Sequence, residues 1–392
     1  MIKVAVIFES SPFDRKGLFN AVHNRIGHLA AAGGCQIDVY CVHSRDNAFT
    51  RRIRKTPVTP DVESVTIDGI NYRMLWYRFS ILDHCLLEKL HVRPWNFARF
   101  MKKTVGCLKG YDCISAHSLT GGLFAEMAHR QYGVPYLVTW HGSDVHTHPL
   151  RNPVLMEDTA RVMQGALCNF FVSNTLKAAS DRITVQARKE VLYNGVSEDF
   201  RKLPQDEVTA VRSSYGLAQK DKVVAFTGNL SPVKNVLSLP GIFKEISAGY
   251  PGSLKFWIVG DGKQRGALEA AVEAAGLEVR FFGNMPSSDM PAIMNCIDVL
   301  VLPSLNEGLP LVCAEALRCG ANVVGAEAGG IPEVIGIDNF VPHGDGFEVK
   351  MAKRAVEMLS GKVEQAIPDE LDWNRTALQE KRILESFLSK GE

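Results

Sequence analysis

Short apolar runs alternate with helix-like stretches along almost the whole chain, and the alternation begins twice. Residues 2–8, 37–42, 112–116, 136–140, 169–172 and 190–193 read as strands, with a helix-like stretch at 21–32 after the first. Strands apolar on both faces are those of a parallel sheet covered by helices on each side. After a Pro- and charge-containing stretch at 198–219 the pattern restarts, with strands at 222–227, 254–259, 279–282, 299–302 and 322–325. The expectation is an α/β chain of two doubly wound, Rossmann-like domains, 1–197 and 198–370, facing each other across a cleft. A last helix-like stretch at 371–390 carries Trp373, Leu378, Ile383, Leu384 and Phe387 at helical spacing and follows the completed second sheet. Ligands of such sheets bind at the carboxyl ends of strands, so the chemistry belongs in the loops that follow them.

Length agrees, since 392 residues exceed one ordinary domain of roughly 100–200. The net charge of +1 argues against a nucleic-acid binder, but it hides an asymmetry. Residues 1–200 hold 24 Lys/Arg against 18 Asp/Glu, and residues 201–392 hold 20 against 25. The excess lies in 45–109, with 13 cations against 6 anions, where RRIRK at 51–55 and WNFARFMKK at 95–103 mix cations with aromatics. Such a stretch can rest on an anionic membrane, and it reads as readily as a solvated loop and a core-facing helix. The nine cysteines show no Cys-x-x-Cys pair, so neither a zinc site nor a disulfide scaffold is indicated. Without a signal-like start or a run of about 18 apolar residues, the expected location is cytoplasmic, with a peripheral place at the inner membrane face.

The densest signal is residues 298–335. A strand runs into a polar loop with Glu307 and Gly308, and Pro310 then opens a helix, where its missing N–H costs nothing. Free amides at Gly308, Leu309 and Leu311 would form an anion site suited to a diphosphate. Glu315, two turns further, can accept hydrogen bonds from two adjacent hydroxyls, as a ribose presents. Taken singly, Glu307 reads equally as a helix-start carboxylate and Glu315 as a solvated helix residue. Three more strand-end loops have the same character. GNLSPVKN has Gly228 for close approach, Asn229, and Lys234 as a mobile charge for phosphate. VGDG has Gly260 and Gly262 for close approach to a ring or ribose, and FFGNMP contains Met285.

The order GNLxxxK, VGDGxxxxxL, FFGNM, E-x7-E and AGGIPE resembles the retaining glycosyltransferases of family four, also called group one. The resemblance implies the GT-B fold, a nucleoside-diphosphate sugar such as a UDP- or GDP-sugar as donor, no cofactor and no divalent metal. It implies that Glu315 binds the ribose, Lys234 the diphosphate, the Met285 backbone the base, and Glu307 the sugar near the reacting carbon. It also implies a last helix that returns to the first domain. The family commonly has Arg where this chain has Asn229, so one phosphate-facing charge is missing.

In the first half, strand 136–140 leads into His141-Gly142-Ser143-Asp144. The family has a histidine here that faces the donor sugar, and it often has Gly-Gly where this chain has Lys16-Gly17. Gly17 is therefore assigned to the donor, and His117 and Asp144 to the acceptor side. The reading is sugar transfer to a hydroxyl of a surface glycan or lipid-linked glycan. Two other readings stay open: a nucleotide-sugar 2-epimerase on the same fold, and a catalytically silent nucleotide-sugar binding protein. The lack of a G-x-G-x-x-G after the first strand argues strongly against a nicotinamide oxidoreductase.

Overall fold

The computed structural model describes residues 1–13, 17–45, 59–78 and 80–388. Lys16 and the RRIRK run lie outside the described residues. The chain forms two compact units, Met1–Asn194 with the segment from Asp372, and Gly195–Leu371.

The first unit holds β1 (Ile2–Glu9), β2 (Cys35–Ser44), β3 (Ser64–Ile67), β4 (Ile70–Tyr77), β5 (Cys113–His117), β6 (Tyr136–Trp140), β7 (Cys168–Phe171) and β8 (Lys189–Val191). Their order in the sheet is β3-β4-β2-β1-β5-β6-β7-β8. The pairings are parallel except that β3 runs against β4. Every residue of β5 and β6 is buried, which is why these strands read as largely apolar runs, with Ser115, His117 and Thr139 as buried polar exceptions. From β1 the sheet grows toward β2 and then, from β5, in the opposite direction. Its topological switch point is therefore between the ends of β1 and β5, at Glu9 and His117.

β3 and β4 were not expected. Their turn is Asp68-Gly69, both at positive φ (48° and 78°), the geometry that a two-residue hairpin demands. An Asp-Gly flanked by alternating apolar residues was the available signal. The aromatic residues of 45–109 also differ from a single exposed face. Trp76 stacks on Phe13, and Phe97 and Phe100 pack on Tyr77 and Phe124. Trp95, by contrast, is exposed. One turn of helix sends Phe97 and Phe100 inward and Trp95, Arg99 and Lys102 outward.

The second unit holds β9 (Lys222–Thr227), β10 (Leu254–Val259), β11 (Val279–Gly283), β12 (Val299–Leu302), β13 (Asn322–Ala326) and β14 (Phe340–Val341), ordered β11-β10-β9-β12-β13-β14 and all parallel. Only the two-residue edge strand β14 escaped the sequence pattern. The switch point here lies between β9 and β12, so the loops carrying Lys234 and Glu307 leave neighbouring strands. The stretch 198–219 is not a bare linker, because it contains the helix Gln205–Ser214, whose Arg212 donates to the Cys296 carbonyl of the second unit (2.8 Å).

The C-terminal helix Trp373–Leu388 belongs to the first unit. Trp373, Ala377, Glu380 and Leu384 form its buried stripe. Glu380 meets Arg25 of the helix Gly17–Ala31 at 2.6 Å, both nearly unexposed, and accepts from Ser115 Oγ at 3.3 Å. Breaking such a buried pair by removing one partner costs about 3–5 kcal/mol, because the other charge is left without compensation.

Candidate active site

In the second unit the strand-end loops stack on one another. The Gly228 amide donates to the Val259 carbonyl (2.9 Å), Leu230 to Asp261 (3.0 Å) and Gly260 to Gly283 (2.7 Å). A Cβ at Gly260 would fall 2.0 Å from the Gly228 carbonyl oxygen, and one at Gly262 would fall 2.4 Å from Leu230 O. Both glycines are thus required by the packing of loop on loop, before any ligand is considered. Asn229 is exposed at this junction, and the backbone at Met285 is half-buried just past β11.

Lys234 and Glu307 meet directly, Lys234 Nζ donating to Glu307 Oε1 at 2.5 Å, with both side chains mostly buried. The AGGIPE loop seats the glutamate. A Cβ at Gly329 (φ +54°) would lie 1.8 Å from the Glu307 carbonyl oxygen, and the Gly330 amide donates to that oxygen (3.3 Å). Beyond Glu307 the helix Leu311–Arg318 begins after Pro310. Among the described residues the amides of Gly308, Leu309 and Leu311 have no backbone acceptor.

Glu315, half-buried on that helix, has no hydrogen bond to its carboxylate among the described residues, and burial raises its pKa to about 7. Two hydroxyls at the same strand ends, Thr227 Oγ1 and Ser304 Oγ, are also buried without a partner. The sequence reading missed these two, although each closes a strand that it located. A polar depression of about 410 Å³ lies at the opposite, amino-terminal strand ends, lined by Asp221, Asp298 and Asn322. Parallel sheets do not place their ligands there.

The first unit presents a different constellation. His141 follows β6 and His117 ends β5, with His117 Nδ1 and His141 Nε2 3.1 Å apart and the rings stacked at 5.3 Å. This hydrogen bond leaves Nδ1 as the remaining polar atom of His141. Burial, helped by the Arg25 cation, pushes the His141 pKa down to about 3 and that of His117 well below its usual value. Both are neutral at physiological pH.

Asp144 is buried and turns back, accepting from the amides of Gly142 (2.8 Å) and His141 (3.2 Å). Burial raises its pKa, and these amides offset part of the rise. Its carboxylate and the buried His117 ring therefore both contact His141 and hold it in place. Gly17 opens its helix exposed, and among the described residues nothing beyond its chain neighbours lies within 4 Å of where a Cβ would stand. Among the described residues no three His, Cys, Asp or Glu side chains are grouped to hold a metal ion.

Residues 207–382 match the family described as Glycosyl transferases group 1, and residues 18–195 match the Glycosyl transferase 4-like domain. A 2-deoxystreptamine glucosyltransferase of Streptomyces kanamyceticus is 31% identical over 57% of this chain and 62% of that enzyme, so less than two thirds of the relative is spanned. Among solved structures, sucrose-phosphate synthase from Thermosynechococcus elongatus superposes with a TM-score of 0.73 at 18% identity, covering 100% of both chains. The Anabaena protein HepE, solved in complex with UDP and glucose, superposes with a TM-score of 0.69 at 19% identity, covering 100% of this chain and 99% of that one.

Proposed function

The chain belongs to the glycosyl transferases of group 1 and has their GT-B fold, and from that premise we propose that it transfers a sugar from a nucleoside-diphosphate sugar to an acceptor hydroxyl with retention of configuration and without a metal ion. The observation that carries this reading is the unsatisfied polar surface at the β9–β12 switch point. The Glu315 carboxylate without a hydrogen bond, helix-start amides without a backbone acceptor and the Lys234 ammonium, paired with Glu307, stand together there. Thr227 Oγ1 and Ser304 Oγ, buried without a partner at the same strand ends, cost about 1–3 kcal/mol each when left so, a cost that a ligand there repays.

A ribose diol supplies two donors to Glu315. The diphosphate supplies acceptors to the amides of Gly308 and Leu309 and to Lys234. Lys234 holds Glu307 in place through their ion pair, and Glu307 contacts the transferred sugar. As the bond from sugar to phosphate breaks, negative charge grows on the diphosphate, and the same amides and ammonium stabilise it. His141, neutral and held by His117 and Asp144, contributes a hydrogen bond to the sugar or leaving group. Uridine diphosphate is the first nucleotide to test, since HepE was captured with it. The acceptor fits a surface glycan or its lipid-linked precursor.

The test is proton NMR of the product formed from a panel of UDP- and GDP-sugars in the presence of EDTA. Retention of the donor's anomeric configuration is expected. An inverted product removes the retaining assignment, and activity that EDTA abolishes and magnesium restores removes the metal-independent one.

A further inference from the structure

A cavity of about 250 Å³ opens in the first domain beside its switch point. Its wall is apolar: Phe97 and Met101 from the helix Trp95–Thr104, Leu119 and Leu123 from Ser118–Tyr132, and Leu155 from Pro153–Gly165. One end is polar. There Glu9, the last residue of β1, accepts from Tyr77 Oη and Thr120 Oγ1, each at 2.5 Å. Thr120 is three residues beyond His117, so this end lies at the strand ends where the proposed chemistry is housed. Pockets that enclose a whole small ligand measure roughly 300–1,000 Å³. The cavity falls just short of that and suits a segment of hydrocarbon.

The surface next to it is matched to the source of such a segment. Leu82 and Leu90 are each 64% exposed, Trp95 62% and Val92 49%, all within a short stretch of chain leading into the cavity wall. Among them stand Lys89, Arg99, Lys102 and Lys103, exposed and without an ion pair among the described residues. Protruding apolar side chains interleaved with uncompensated cations suit an anionic lipid surface. The apolar wall behind them offers a continuation for a chain leaving that surface.

We propose that this cavity takes the hydrocarbon chain of an amphiphilic acceptor presented from an anionic membrane, with the polar head toward Glu9. The word acceptor rests on the transfer reading above, whereas the hydrocarbon site does not. Binding of n-octyl and methyl β-D-glucopyranoside, measured by calorimetry below the micelle-forming concentration, tests the cavity. Each methylene that enters is worth about fourfold in affinity, so the octyl compound binds more than a hundredfold tighter. Leu123→Trp, which fills the cavity, removes that preference while far-UV circular dichroism is unchanged. Leu155→Trp replaces it if the first variant does not fold.

Lys102→Glu with Lys103→Glu weakens sedimentation with phosphatidylglycerol vesicles and leaves octyl glucoside binding intact. Equal affinity for the two glucosides, or an octyl preference that survives the filled cavity, overturns the site. Equal sedimentation with phosphatidylcholine and phosphatidylglycerol vesicles overturns the membrane source. None of these readouts is turnover. An absence of sugar transfer therefore removes the acceptor role and leaves the hydrocarbon site standing.

Discussion

Each unit keeps buried polar atoms without a partner, Arg25 Nη1 and Nη2 and Thr139 Oγ1 in the first and Thr227 Oγ1 and Ser304 Oγ in the second, but the two strand-end sites treat their carboxylates differently. In the first, His141 is bonded to His117, and Asp144 is occupied by the amides beside it. In the second, Glu315, the amides of Gly308 and Leu309, and the hydroxyls of Thr227 and Ser304 are left without partners among the described residues. A self-satisfied constellation has little to gain from a ligand except at the one atom it leaves free. An unsatisfied one gains hydrogen bonds that water, partly excluded, does not supply. On the proposed function, the contrast predicts that most of the donor affinity comes from the second domain and that His141, neutral and pre-oriented, acts on the reaction more than on binding.

The largest effect that tests this division is His141→Ala. Turnover is expected to fall by roughly 10²–10⁴, the usual worth of a positioned catalytic group. Nucleotide affinity by calorimetry should stay within about twofold. Parallel losses in both would place donor affinity in the first domain and break the comparison.

Glu315→Gln comes next and separates binding from folding. Loss of a charged acceptor lowers nucleotide affinity by about 1.5–3 kcal/mol, roughly 10- to 150-fold. The same change should stabilise the unliganded protein. The carboxyl is raised from 4.5 in the unfolded chain to about 7 in the folded one, so its contribution to stability is present below the unfolded value and is lost as pH rises through 7. At pH 8 that loss is on the order of 3 kcal/mol, at 1.36 kcal/mol per unit. Removing the charge recovers it, and denaturant midpoints at pH 8 and pH 4 would show the gain at the higher pH only.

A smaller effect sharpens the same point. Nucleotide affinity of the wild type should rise by about tenfold between pH 6 and pH 8 beyond any rise in Glu315→Gln, which serves to cancel titration of the phosphate itself. No step from His141 is expected in this range, since its pKa of about 3 keeps the ring neutral throughout. A pH profile identical in both proteins would mean that Glu315 is ionised by a partner already in place.

Much of the framework was legible along the chain. The strands at 136–140, 222–227, 254–259 and 299–302 coincide with β6, β9, β10 and β12 to the residue, because a strand buried on both faces is apolar at most of its positions. The β3–β4 hairpin was passed over, although its Asp-Gly turn was there to be read. The strand-end loops followed from the strands, and with them the neighbourhoods of Lys234, Glu307, Glu315 and His141. The roles of Gly260 and Gly262 did not follow, since a glycine needed for loop packing and one needed for ligand approach look alike in sequence.

The sequence by itself determined the parallel strands of two sheets and the loops in which chemistry had to lie, because periodicity and turn chemistry are local properties. Only the tertiary structure decided which side chains are already occupied. Lys234 finds Glu307 across 73 residues and Arg25 finds Glu380 across 355. Asp144 turns inward to hold His141, and Glu315 is left desolvated and alone. Whether a carboxylate is paired, capping or vacant depends on what the fold brings within about 3 Å of it and on how much water it excludes. Neither quantity is carried by the residue or its neighbours in the chain.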